Sequence, residues 1–343
     1  MNKKFLKISV LFLAILFSFT SCDNSDDPKP IPKGDFDNGY FISNEGNFTK
    51  SNASITFIDN DLMQETNGVF EKVNDKPLGD VFQSIAFDGD YAFLVVNNSN
   101  KIEVVNRYTF KSITTITENL KLPRYAVVEN GKLFVTNSTD KSVLVYDATS
   151  FAFVTSIVIE KTVEEIKKDN GNLYIMNASY SSGNEITVIN ASNNTVIKTI
   201  TVGDGLNSIE IEDGVLYALH STGITKVNTS SNEVIGEISF EDGLSNASKL
   251  EVEDNYIYFI SGSKIFKFNK DATSLANTEF VDTKAIGASW AFGYGFDVVD
   301  DKLFYTNANG FSENSEVTVY DLDGKLLKTF TAGMGANGAY DND

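Results

Sequence analysis

The chain has 343 residues, 42% of them hydrophobic, and its 28 basic side chains against 47 acidic ones give a formal charge of −19. No basic stripe is present to displace counterions, which argues against nucleic acid as a partner. With one cysteine and one histidine, the sequence offers no internal disulfide, no zinc ligand set, and no serine triad that could use a histidine other than His220.

Residues 1–21 read as a targeting segment. Lys3, Lys4 and Lys7 form a positive start, Ile8 to Phe19 is an apolar stretch too short to span a bilayer, and small or polar residues follow. Cys22 comes directly after Phe19-Thr20-Ser21 and resembles the lipidated cysteine of a bacterial lipobox, with Phe19 where leucine is usual. The bland alternative is a plain secretory signal with an incidental cysteine. Residues 22–38 are acidic and rich in proline, which predicts a flexible tether. Acidic residues just after the cysteine resemble the export signal of lipoproteins displayed on the outer face of an outer membrane. The expectation is therefore an exported chain anchored to the outer membrane by lipid and facing the exterior.

From residue 39 to 343 the sequence repeats about every forty residues, the period of propeller blades. Seven short apolar runs end at Asn44, Asn97, Asn137, Asn177, His220, Ser261 and Asn307. They are predicted second strands, as in Leu133-Phe-Val-Thr-Asn137. Seven predicted third strands end at Asp59, Asn106, Asp147, Asn190, Asn228, Asn269 and Asp321. An Asp or Asn there opens a turn by bonding its own downstream backbone, so these seven are assigned a structural role only. Turns such as Glu129-Asn130-Gly131-Lys132 suit hairpins. The first unit lacks an opening strand, while Ala336 to Tyr340 is an opening strand with no blade behind it. The expected fold is thus all-β: a seven-bladed β-propeller of four-stranded blades, the first shared between residues 39–80 and 336–343.

Phe134-Val-Thr-Asn137 is one residue from the phrase that names the YVTN-repeat propellers, and residues 39–343 resemble that family. Among its exported lipoproteins, the opening Gly39-Tyr-Phe-Ile-Ser-Asn44-Glu-Gly-Asn and the closing Gly293-Tyr-Gly-Phe-Asp297 are similar to the phrases of cobalamin-capturing members. That resemblance implies a monomeric binding module working beside a TonB-dependent outer-membrane receptor, with a corrinoid such as cobalamin as ligand.

Propellers generally bind ligands on the face formed by the loops after the second strands and before the first strands. The seven second-strand endpoints form one expected ring there. Gln83, Arg124, Glu164, Asn207, Ser248, Tyr294 and Asn337 form a second. Amides and hydroxyls dominate both rings, a surface suited to a large polar ligand. For any single Asn the plain alternative is a turn at a strand end. Three long loops each carry one aromatic, Phe48, Tyr180 and Phe311, which are candidate ligand platforms or residues tucked beneath their own loops. Trp290 and Tyr294 sit where the last blade begins. The candidate ligand-binding set is Asn44, Phe48, Asn97, Arg124, Asn137, Asn177, Tyr180, Asn207, His220, Trp290, Tyr294, Asn307 and Phe311, with Cys22 for lipidation and no catalytic residue, metal or cofactor.

Chemistry has little to stand on. No Gly-x-Ser-x-Gly elbow is present, the acidic turns Asp300-Asp301 and Asp321 to Gly324 lack EF-hand spacing, and Gly293-x-Gly295 precedes a strand rather than a helix. Three functions remain in order of preference: small-molecule capture for a transporter, a protein-interaction scaffold on the envelope, and a propeller enzyme of the lactonase or quinoprotein kind.

Overall fold

The computed structural model describes residues 33–180 and 182–342. Cys22 and the targeting segment lie outside the described residues. Seven antiparallel sheets follow one another along the chain, each with its first strand innermost. The inner strands are Ala336–Asp341 for blade 1, then Phe82–Asp88, Pro123–Glu129, Ile166–Asp169, Ser208–Glu212, Ser248–Glu253 and Phe292–Val299 for blades 2 to 7.

The ring closes as the sequence predicts. Ala336–Asp341 pairs antiparallel with Gly39–Asn44, setting Ile42 opposite Ala339 and Phe41 opposite Tyr340. Asn342 locks the join. Fully buried, it donates from Nδ2 to the carbonyls of Phe36 (2.5 Å) and Arg107 (3.1 Å) and accepts from Arg107 Nε at 2.6 Å. Pairing these two strands in one blade removes two strand edges at once.

Hairpin chemistry explains the regularity. Asn130 and Gly131 both take positive φ, 52° and 71°, the geometry that matches the twist of the flanking strands. All seven third-strand Asp and Asn side chains accept bonds from backbone N–H groups two to five residues ahead, such as Asp147 from Thr149 and Ser150 and Asn228 from Ser230 and Ser231. Between blades, apolar residues from facing sheets form continuous clusters, for example Phe93, Val95, Ala126, Leu133 and Tyr146.

Some features depart from the simple repeat. A short helix, Val69–Asn74, fills the passage from blade 1 to blade 2 and buries Val69 and Phe70. The fourth strand of blade 6 is only Val281–Asp282, while Ser274–Leu275 joins blade 5 as a parallel fifth strand. Phe36, within the expected tether, packs against Phe41, Phe57 and Phe110, with ring centroids 5.4 to 6.5 Å away.

Candidate functional site

The inner strands alternate between the blade cores and the axis, as the pleat requires. Ile166, Ile209, Leu250 and Phe296 go into the cores. Their neighbours Glu165, Lys167, Ser208, Lys249, Glu251 and Asp297 line an axial chamber of about 250 Å³. Bulges in several inner strands re-aim the residues near the mouth, including one between Ser248 and Glu251 that holds Lys249 at φ 56°.

Above the chamber, the long loops converge. Phe48, Asn97, Arg124, Tyr180, Trp290, Tyr294 and Phe311 line one cavity of about 600 Å³ with Glu45 and Gln83. Seven of the thirteen candidate residues thus meet at one place. Trp290 and Phe311 stack with centroids 5.8 Å apart and planes 3° apart, and Tyr294 stands edge-on to Phe311 at 4.8 Å. Trp290 is 67% exposed, Phe48 68%, and Tyr180 wholly exposed, so three aromatic surfaces stand open at the cavity wall. Phe311 is the partly buried member, a platform that also packs under its neighbour.

Polar groups hold this wall. Tyr294 donates to Glu45 at 2.8 Å and Asn337 Nδ2 donates to the other oxygen at 3.0 Å. Burial lifts the Glu45 carboxyl above its ordinary range, against the pull of Tyr294 and Asn337. Asp80 accepts from the backbone N–H of Thr49 at 2.9 Å and from Asn98, which pins the Phe48 loop to blade 2. Asn47 Nδ2 donates to the carbonyl of Phe311 at 2.8 Å, joining two of the long loops.

Arg124 donates to Glu164 at 2.7 Å and to Gln83. Arg124 also borders two neighbouring cavities of about 330 and 290 Å³, the second lined by Asn207, Ser248 and Lys249. Asn207 Nδ2 donates to the Ala247 carbonyl at 3.0 Å, while its buried Oδ1 has no partner.

The remaining candidates sit below the face. Asn44, Asn137, Asn177 and Asn307 are buried, and their amides serve the fold. Asn177 donates to the Thr162 carbonyl and Asn307 to that of Ile286, while Asn137 accepts from Lys121 N–H at 2.7 Å. Asn44 bonds Thr56 at 3.0 Å. Asn97 donates to the Pro123 carbonyl at 2.8 Å even as it borders the large cavity. The repeated Asn therefore fastens the loop that enters a first strand, in its own blade for Asn137, Asn177 and Asn307 and in the next for Asn97. His220 is buried with Nε2 3.5 Å from Glu237, outside these cavities, and burial pushes its imidazole down.

Sequence reasoning missed Glu45, Asp80, Lys249 and the axial charges. For Lys249 and the axial charges the signal was the alternation in Glu164-Glu165-Ile166-Lys167 and Ser248-Lys249-Leu250-Glu251, where charged residues alternate with apolar ones; Glu45 and Asp80, in loops, carried no such signal.

A family model described as a domain of unknown function (DUF5074) matches residues 38–335. Among curated proteins no relative matches. Among solved structures, a quinonprotein alcohol dehydrogenase-like protein from Bacteroides thetaiotaomicron is similar, with a TM-score of 0.69 and 15% identity over 90% of this chain and 79% of that one. BamB from Moraxella catarrhalis aligns with a TM-score of 0.54 and 14% identity, over 88% and 89% of the two chains. The dihydro-heme d1 dehydrogenase NirN, in complex with DHE, aligns with 0.58 and 12% over 92% and 77%. At such identities the likeness is one of fold alone.

Proposed function

The chain belongs to the DUF5074 family, and on that footing we propose that it is an envelope binding module that captures a small molecule on the aromatic face of its propeller, without catalysing its conversion. The observation that carries this reading is the convergence of three long loops and the Trp290 segment on one cavity, with flat apolar walls and polar groups at Arg124 and Gln83, beside a second cavity lined by Arg124 and Asn207. Such a site suits a ligand with a broad planar surface and a rim of amides or carboxylates. A corrinoid has that chemistry and is the candidate suggested by the sequence resemblance. Lipidation at Cys22 and delivery to a TonB-dependent receptor complete the proposal.

Trp290 is the only tryptophan, so its fluorescence reports on the cavity directly. Titration with cyanocobalamin is expected to quench it with saturation, in agreement with calorimetry. An absence of binding at micromolar concentrations removes that ligand.

The second reading, a protein-interaction platform, draws on the same open aromatics, since Trp and Tyr are frequent interface anchors. Pull-down from membranes separates the two: a stoichiometric partner without small-molecule binding favours the platform.

A further inference from the structure

The axial chamber poses a separate question, because its charges do not balance. All seven inner strands contribute to its lining, and the ionisable groups on it are Glu165, Lys167, Lys249, Glu251 and Asp297, with Tyr125 and Tyr340. Glu210, beside it, forms the ion pair with Lys167. Three carboxyls therefore face two ammonium groups, one of which is already paired with Glu210. Glu165 accepts the N–H of Ile209 at 3.0 Å and Asp297 that of Ala339 at 2.8 Å. Glu251, partly exposed to the chamber, has no hydrogen bond or ion pair among the described residues, and the nearby Lys167 charge attracts it. A carboxylate only partly in contact with water and without a donor is one that a bound cation would neutralise.

We propose that the axial chamber binds a small organic cation, an alkylammonium or diammonium ion, whose N–H groups bond Glu251 and share the carboxylates of Asp297 and Glu165. The volume of about 250 Å³ would hold roughly eight waters at the ~30 Å³ each takes in the liquid, enough for a short amine. Among the described residues no three acidic, histidine or cysteine side chains are close enough together to hold a metal ion. Carboxyls that far apart suit a ligand with several spread donors. Ser84 and Ser208 add hydroxyls to the wall, and Gln83, Tyr125, Lys249 and Asn337 line both the chamber and the cavities above it, giving a route in from the face. This site does not depend on the planar ligand proposed for the face.

The test is calorimetric titration of the purified full chain with 1,4-diaminobutane at mildly alkaline pH, with butane-1,4-diol as the neutral control. Saturable binding of the diamine alone is expected. Glu251→Gln should weaken it by roughly tenfold or more, the usual loss when one partner of an enclosed charge pair is removed. Lys249→Met should tighten it by removing a competing cation, and Trp290→Ala should leave it unchanged, which separates this site from the face. A chamber that holds solvent only would show no saturation in the millimolar range, equal response to the diol, or indifference to both Glu251→Gln and Lys249→Met. Displacement of the diamine by calcium in place of other amines would overturn the assignment in favour of a metal.

Discussion

The charged axis should reverse the usual dependence of stability on pH. Burial raises the carboxyl of Asp297 from its ordinary 3.8 to about 6, with Lys249 opposing, and burial likewise raises Glu45, Glu165, Glu251, Glu212 and Glu253. A carboxyl whose proton is held more tightly in the folded chain makes that chain bind more protons than the unfolded one. Folding is then favoured on the acid side and loses stability as pH rises from the unfolded value through the folded value. For Asp297 the window from 3.8 to about 6 amounts to about 3 kcal/mol at ~1.4 kcal/mol per pH unit, an upper figure because water in the chamber screens it. Carboxyls held low work in the opposite sense: burial of Glu103 is outweighed by Lys101 and Lys76, and Asp300 is lowered by Lys302. Their contribution is lost only as pH falls below the ordinary carboxylate range. Urea unfolding should therefore show greatest stability in mildly acidic solution and a decline toward neutrality. Asp297→Asn keeps an acceptor for the Ala339 N–H and should flatten that decline, gaining up to about 3 kcal/mol at neutral pH with little change near pH 4. A wild-type curve that rises steadily from acid to neutral pH, or a variant with an unaltered slope, would refute the reasoning.

Other perturbations follow from single contacts. Deleting residues 336–343 removes the inner strand of blade 1 and the buried Asn342, and differential scanning calorimetry should find a lower, broader transition; an unchanged melting temperature would remove the closure from the stability account. Asn342→Ala strands the Phe36 and Arg107 carbonyls together with the Arg107 guanidinium, at an expected cost of about 2–4 kcal/mol in chemical denaturation. In Gly335→Ala a new Cβ would lie 2.8 Å from the Phe311 ring on a backbone at φ 68°. It should disturb the Trp290–Phe311 stack, which a shift in tryptophan emission would report. Asp80→Ala frees the Thr49 N–H and the Phe48 loop, so face-ligand affinity should fall while the melting temperature moves by no more than about 1–2 kcal/mol of stability would imply.

Propeller architecture was legible because it rests on local rules repeated seven times: an apolar strand, a turn-forming Asp or Asn, and a period near forty residues. Even the closure could be read, since an unpaired opening strand at one end of the chain answers a missing one at the other. The loop aromatics were legible by a different logic. Phe48, Tyr180, Phe311 and Trp290 interrupt the repeat, and residues that the repeat does not require are available for a site. The Asn endpoints show the opposite case. Their recurrence suggested a ligand ring, yet recurrence is also what a structural fastening produces, and the bonds of Asn137, Asn177 and Asn307 to the entering loops are of that kind.

What sequence reading could not supply was the depth of each residue along the axis. Glu164 and Glu165 are neighbours of the same type, but one meets Arg124 at the mouth and the other lies in the chamber. Register fixes that difference, and bulges fix register. A single inserted residue in an inner strand exchanges axis and core positions for everything beyond it. Lys249 is at such a bulge, so the side chain that links face and chamber is placed by backbone geometry at φ 56°. If that placement matters to the site, Lys249→Gly should relieve the backbone strain and stabilise the fold, yet alter cation binding in the same direction as Lys249→Met. Stability and binding would then part company at one residue, a separation that a purely structural lysine does not produce.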